Sequence, residues 1–408
     1  MKVFLFLFLV FSFIPNEAYL SIGGVRFEAY RILLIFYFFA AVGDLAREKM
    51  QFFEKMLFCY CLWCSLSFMY IYGVGGIQTS LIQFLEMYMV YFMGRMYTLR
   101  AGWYGLIKFL KIIGAFFILM IPLAVYESQT GNRITHSVVG AIFGNYAASF
   151  AGYNYFRMGV FRSSVIFAHP ILYSVIAFSM LLPVLYVFKG GRRNIYLFSY
   201  VVAGFTAMTS AGFLMLIVQL GFVVLEKISL KISLFKRIFY FLVFAFLVYL
   251  EVFSNRGALK FLIMSISLDP VTAFTRYIQW DQAWDDIIDN PFFGIGFEEW
   301  SRPSWLGYSI DSYWLLAMVN NGLVSIVFLS AFWVGMVRNV YTMYKMTNDF
   351  VYYIFFAVVM SLIFAAFTVD LFDRAQTLTY LYFGIISGLI TNQKKLKLQE
   401  GSDGDRIR

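Results

Sequence analysis

Residues 352–368 read YYIFFAVVMSLIFAAFT, without a charge or a proline. Wound as a helix, such a run approaches the roughly 30 Å hydrocarbon thickness of a bilayer, which takes about 20 apolar residues to span. Upstream, residues 239–253 read FYFLVFAFLVYLEVF and are apolar apart from Glu251 near the end. The chain has 408 residues, of which 61% are hydrophobic, 21% aromatic and only 13% charged. A soluble chain carries roughly 25% charged residues, so two or three soluble domains of this length would lack a wettable surface. The reading is an all-α polytopic integral membrane protein.

About twelve runs meet or approach the spanning length. They lie near residues 3–15, 26–43, 53–73, 77–95, 105–126, 164–188, 194–209, 211–226, 236–253, 310–336, 350–369 and 374–391. The first is short and follows Lys2 like a signal peptide, but no small-x-small cleavage site follows Pro15, so it is retained as a span. Residues 1–392 then form one transmembrane domain and residues 393–408 a basic tail. With the N-terminus inside, twelve crossings return the C-terminus to the cytoplasm, and 22 of the 32 Lys and Arg fall in cytoplasmic segments. That agrees with the positive-inside bias, which also accounts for the net charge of +9 without nucleic acid as a partner.

The remaining basic residues are Arg26, Arg31, Arg133, Arg157, Arg162, Arg256, Lys260, Arg276, Arg302 and Arg374. All but one are arginine, whose planar fork grips phosphate or carboxylate in two places where lysine offers a point charge. Two readings stand: a site for an anionic ligand, or arginines paired with nearby carboxylates and lipid headgroups. Two extracytoplasmic loops, about 127–163 and 254–309, are longer than the other connections, and long ordered loops usually carry function. The second holds Asp269, Asp281, Asp285, Asp286, Asp289, Glu298 and Glu299. Within it, Tyr277, Trp280, Trp284 and Ile287 recur at helical spacing opposite Asp281, Asp285 and Asp289, predicting a helix over 275–289 that Asn290-Pro291 ends. This helix either lies at the membrane interface or caps the bundle.

Much chemistry is missing. Cys59, Cys61 and Cys64 fall in one span and read as small buried hydrophobes, and His136 and His169 make no zinc-ligand spacing. There is no phosphate-binding glycine loop and no nucleophile elbow. No metal and no cofactor is expected. Glu86 and Glu251 lie within spans, where ionisable residues raise a functional hypothesis beside the plainer one of interior partners. Asp311 stands at the mouth of the tenth span, placed either to accept a proton from a sugar hydroxyl or to pair with Arg276 or Arg302.

Four stretches carry a likeness to a known family. These are Arg162-Ser-Ser-Val-Ile-Phe-Ala-His169-Pro170; Thr209-Ser210-Ala211-Gly212; Thr275-Arg276-Tyr277 with Trp280, running into Asn290-Pro291-Phe292-Phe293-Gly294-Ile295-Gly296; and Asp311-Ser312 with Asn321-Gly322-Leu323. In order and spacing they resemble the O-antigen ligase and polymerase family of bacterial surface-polysaccharide enzymes. Ala211 stands where the family often has arginine. Asp311-Ser312 stands where ligases have His-Asn, which favours polymerase over ligase.

The resemblance implies a GT-C-like membrane glycosyltransferase of the bacterial inner membrane. It would polymerise undecaprenyl-diphosphate-linked oligosaccharide repeats into O-antigen, capsule or exopolysaccharide on the periplasmic face. Arg157, Arg162 and Arg276 would hold the diphosphate, whose negative charge grows as the glycosidic bond breaks. Asp311 would be the base, with Arg276 also catalytic, while Trp280, Asp281, Asp285 and Trp300 are weaker sugar-binding candidates. Expected partners are the lipid-linked substrate, membrane lipid, and a chain-length regulator and flippase of the same pathway. An O-antigen ligase is the alternative. A lipid-linked oligosaccharide flippase is a third reading, which should show paired repeats and midplane charge.

Overall fold

The computed structural model describes residues 2–22, 25–145, 156–157, 159–255, 257–266 and 270–406. Arg256 and Asp269, both named above, lie outside them, as do the tip of the first long loop and residues 407–408. The regular elements of the described chain are helices and two short hairpins.

Helix α1 (Lys2–Ser12) leads into hairpin β1 (Tyr19–Ile22) and β2 (Val25–Glu28), in which Tyr19 faces Glu28. Then follow α2 (Ala29–Arg47) and α3 (Phe52–Tyr72), whose start is closed by reciprocal hydrogen bonds between Gln51 and Glu54, a capping box that satisfies two otherwise orphaned N–H groups. A 3₁₀ turn at Gly73–Gly75, α4 (Gly76–Phe84) and a π-helical turn at Leu85–Met89 run into α5 (Val90–Thr130). After α6 (Ile134–Phe143) and hairpin β3 (Phe156–Arg157) and β4 (Val160–Phe161) come α7 (Pro170–Val187), α8 (Gly190–Ala207), α9 (Ser210–Ser229) and α10 (Ser233–Phe253). The second long loop holds α11 (Gly257–Ile266) and α12 (Pro270–Asp289), and α13 (Tyr313–Thr347), α14 (Phe350–Ala365) and α15 (Asp373–Arg406) complete the chain.

Five helical stretches are long and apolar enough to cross a membrane: Ala29–Arg47, Phe52–Thr130, Pro170–Val187, Ser210–Ser229 and Tyr313–Thr347. They indicate a membrane protein. The other predicted spans also fall on helices, but α1 and α14 are shorter, and α8, α10 and α15 carry charges in their first turns, Arg192 and Arg193, Lys236 and Arg237, and Asp373 and Arg374. The number of crossings is therefore narrower on this measure than the twelve expected.

Two boundaries moved for identifiable reasons. The run predicted to enter the membrane at 164 becomes helical only at Pro170, because buried Glu127 at the end of α5 accepts from Ser164 N (3.1 Å), Ser164 Oγ (3.0 Å) and Val165 N (2.9 Å). Those bonds hold the segment as irregular chain. The loop helix begins at Pro270, five residues before the predicted Thr275, with proline at the first helical position where its missing N–H costs nothing.

Helices α5 and α15 lie against each other at backbone distance. A side chain at Gly384 would meet Tyr91 O at 2.0 Å, and one at Gly388 would meet Arg95 O at 2.0 Å. Small residues allow such approach, which is how helices gain packing energy where lipid removes the hydrophobic drive. At 41 residues α5 would be about 60 Å long if straight, twice the hydrocarbon thickness. It is broken at Gly102 (φ 54°), between the two predicted spans.

Candidate functional site

Helix α13 is broken at Gly322 (φ 75°, ψ 176°), and a break leaves carbonyls and N–H groups that lipid cannot satisfy. The loop after α12 satisfies them. Ile295 N donates to Val319 O (2.9 Å), Gly296 N to Asn320 O (3.0 Å), and Leu323 N to Pro291 O (2.7 Å), while Trp63 Nε1 donates to Asn321 O (3.0 Å). The strand of chain from Pro291 to Gly296 thus plugs the break. No side chain fits at the joint: a Cβ on Gly322 would lie 2.0 Å from Phe292 O, and one on Gly294 2.4 Å from Val319 O. Phe293 stacks on Trp63 at 5.2 Å and Tyr70 at 4.5 Å, and its carbonyl accepts from Ser67 Oγ at 2.5 Å. Two motifs with 24 residues between them, 290–296 and 321–323, are therefore one device, which fixes α12 over the start of α13.

Helix α12 then presents Arg276, 3% exposed, to Asp311 across a 3.5 Å ion pair. Gln279, one turn on, orients the same segment: its side chain accepts from Asp311 N (3.0 Å) and donates to Ser309 O (2.8 Å). Burial raises the Asp311 carboxyl above its ordinary range, although Arg276 pulls it down.

A second carboxylate joins this end. The turn after α14 is pinned to the start of α13, since Tyr313 N donates to both Ala366 O (2.9 Å) and Val369 O (3.1 Å). That turn carries Asp370 beside Asp311. Burial and the Asp311 charge push the Asp370 carboxyl up to about 7. Asp370 makes no hydrogen bond or ion pair among the described residues.

The first long loop brings arginines to the same place. Arg162, 6% exposed, donates from Nε to Ala207 O at 3.2 Å. Arg157 donates to Thr272 Oγ1 at 3.2 Å, tying the first loop to α12. Arg133 donates to Phe167 O (2.7 Å) and to His136 Nε2 (2.9 Å), whose Nδ1 then donates to Glu17 (2.8 Å). Next to them His169 caps α7, with Nδ1 accepting from Ile171 N at 3.1 Å. Burial and then the charges of Arg162, Arg133, Arg157 and Arg276 push the His169 imidazole down to about 3, so it is neutral at physiological pH. Four arginines from both loops thus act on one histidine.

The remaining assigned residues lie apart from this cluster or serve the scaffold. Trp280 is buried and stacks with Phe367 (6.3 Å), and Trp300 is buried with Nε1 donating to Tyr308 O (2.8 Å). Asp281 is exposed and pairs with Lys260, whereas Asp285 is exposed to solvent. Trp284 and Trp305 are the exposed tryptophans of the loop. Arg31, Arg302 and Arg374 pair with carboxylates: Arg31 with Glu86 (2.7 Å), Arg302 with Glu299 (3.3 Å), and Arg374 with Glu28 (2.7 Å) and Asp373 (3.1 Å). Arg133 also pairs with Glu127 (3.5 Å), as Arg276 does with Asp311 (3.5 Å), so carboxylate pairing extends into the arginine cluster itself. Glu251 accepts from Ala258 N (2.8 Å) at the turn into α11.

No family model and no curated protein matches the chain.

Among the described residues no group of three or more His, Cys, Asp or Glu is arranged to hold a metal ion. Asp370 was not singled out from the sequence because it lies in the short gap between two apolar runs. Arg133 and His169 were noted but given no role, and only their position beside Arg162 distinguishes them.

Proposed function

We propose that the chain is a multi-pass glycosyltransferase of the bacterial inner membrane, crossing about twelve times with both termini cytoplasmic. It would extend undecaprenyl-diphosphate-linked oligosaccharide into O-antigen, capsule or exopolysaccharide, as the resemblance implies. The observation that carries this reading is that Arg157 of the first loop bonds Thr272 on α12 (3.2 Å), one turn before Arg276, which pairs with Asp311 (3.5 Å). The interlocking of the 290–296 and 321–323 motifs supports it, because the residues that carry the family likeness turn out to build one structural unit.

In the reaction the bond between the donor sugar's anomeric carbon and the diphosphate oxygen breaks, and a bond from that carbon to an acceptor hydroxyl oxygen forms. The diphosphate leaves with the electron pair, and the arginine forks stabilise the charge it gains. The acceptor's proton passes to the Asp311–Asp370 pair. The activated lipid supplies the driving force.

Arg276→Ala should leave the protein in the membrane, abolish long-chain polysaccharide and leave single-repeat material. Normal chain length in a well-expressed variant would sink the assignment. Long lipid-linked polymer persisting in a strain without the gene would point instead to a ligase.

A further inference from the structure

From Ser301 to Asp311 the chain is irregular, and within this segment Trp305 is 62% and Tyr308 67% exposed. The hydrocarbon of a bilayer does not accept irregular backbone on its lipid-facing side, so these rings stand in or next to water. The exposed Ser301, Ser304 and Ser309 beside them agree with that. Uncovered aromatic surface in water is unfavourable, and a group of such rings marks a place where something binds.

The rings are held in position. Ser301 donates to Asp286 of α12 from its N (2.6 Å) and its Oγ (2.8 Å), Trp300 Nε1 donates to Tyr308 O (2.8 Å), and Leu306 N donates to Pro303 O (2.9 Å). Phe274 of α12, 48% exposed, lies parallel to Trp305, with planes 5° apart and ring centres 6.5 Å apart. On one face of Tyr308 the Arg302 guanidinium stands 3.9 Å from the ring centre, paired with the exposed Glu299 (3.3 Å). A ring covered on one face and still two-thirds exposed has its other face open. Tyr308 precedes Asp311 by three residues, and Gln279 bonds both Ser309 O (2.8 Å) and Asp311 N (3.0 Å). The rings and the carboxylate that accepts the acceptor's proton therefore belong to one braced segment.

We propose that Phe274, Trp305 and Tyr308 form a carbohydrate platform on which an acceptor sugar lies by its C–H face, with Glu299 at the rim accepting hydrogen bonds from its hydroxyls. This rests on the glycosyltransferase reading above. A pyranose presents weakly positive C–H groups on its face and hydroxyls around its edge. The negative face of an aromatic ring attracts the first, and a carboxylate accepts from the second. A surface braced before binding loses less entropy when the sugar docks.

Trp305→Leu and Tyr308→Leu keep an apolar side chain and remove the ring, whereas Trp305→Phe keeps a ring. The substrate is single-repeat lipid-linked material extracted from a strain without the gene, and the enzyme is the full-length protein in nanodiscs. Each leucine variant should raise KM roughly two- to tenfold, the scale of one aromatic contact, with kcat changed less. Their melting temperatures should stay at the wild-type value, since the rings are exposed. Trp305→Phe should recover most of the loss, because stacking needs a ring while a membrane anchor is served as well by leucine. In nanodiscs of brominated phosphatidylcholine, the Trp305 emission, read as the difference between wild type and Trp305→Phe, should escape quenching by the lipid and be quenched by acrylamide. Quenching by the brominated lipid overturns the platform and leaves the glycosyltransferase reading standing. So does a wild-type KM in Trp305→Leu, or a KM in Trp305→Phe no lower than in Trp305→Leu. Failure of the wild type itself to lengthen the repeats overturns that reading and the platform with it.

Discussion

Arg374 and Arg276 are both buried arginines beside aspartates, yet their surroundings assign them different work. Arg374 is 1% exposed and held between Glu28 and Asp373 through its two terminal nitrogens. Breaking such a pair by removing one partner costs about 3–5 kcal/mol. Arg374→Ala should therefore lower the melting temperature and the amount of folded protein, with polymer length unchanged in what remains. Shortened polymer at normal stability would place Arg374 in the site instead. At Asp370 the expectation concerns pH. Its carboxyl is raised to about 7, so it is protonated below that value and becomes a base only above it. Elongation by purified protein should rise with pH through about 7, and Asp370→Asn should remove that limb and slow the reaction about a hundredfold, the usual lower scale of general base catalysis. A variant that keeps the limb would leave Asp311 as the titrating group. None of this was legible in the sequence, where Asp370 is a lone acid in a short turn. Its meaning comes from the two hydrogen bonds that fold the turn onto Tyr313.

At the scale of elements, the plugged break in α13 explains why an apolar helix tolerates Asn320-Asn321-Gly322 in its middle. The sequence marked the place, since two asparagines and a glycine interrupt an apolar run, and it marked the partner through its glycines. It did not reveal that the two join, because backbone-to-backbone hydrogen bonds leave no trace beyond the glycines that make room for them. The joint predicts an asymmetric response to small changes. Gly322→Ala puts a Cβ 2.0 Å from Phe292 O at a positive φ with extended ψ (75°, 176°), a region that is essentially glycine-only and alone costs roughly 1–3 kcal/mol before the clash is counted. The loop should come away from α13, so limited proteolysis in 290–300 should appear together with loss of elongation. Gly307→Ala, in open space on the same loop, should have neither effect. Equal protection in both variants would mean that the plug is not what fixes α12.

For the whole molecule, apolar runs located the helices well because period and composition survive in any lipid-facing or bundle-facing helix. Sidedness was read from charge alone, and the packing of helices is indifferent to it: turning the bundle over leaves every contact unchanged. Only the bias of lysine and arginine toward one side separates the two orientations. The proposed function depends on that choice, since lipid-linked repeats would have to meet α12 on the extracytoplasmic side. Single cysteines decide it, introduced after Cys59, Cys61 and Cys64 are replaced. Asp285 is exposed on α12 and Lys395 is exposed on α15, so a cysteine at either place is open to a reagent that cannot cross the membrane. Asp285→Cys should label in intact spheroplasts, and Lys395→Cys only after the membrane is permeabilised. The reverse pattern would put the arginine site in the cytoplasm, where polymerisation of exported repeats has no substrate. Labelling of both from outside would mean an even number of crossings between Asp285 and Lys395 instead of three, and the twelve-span arrangement would fall with it.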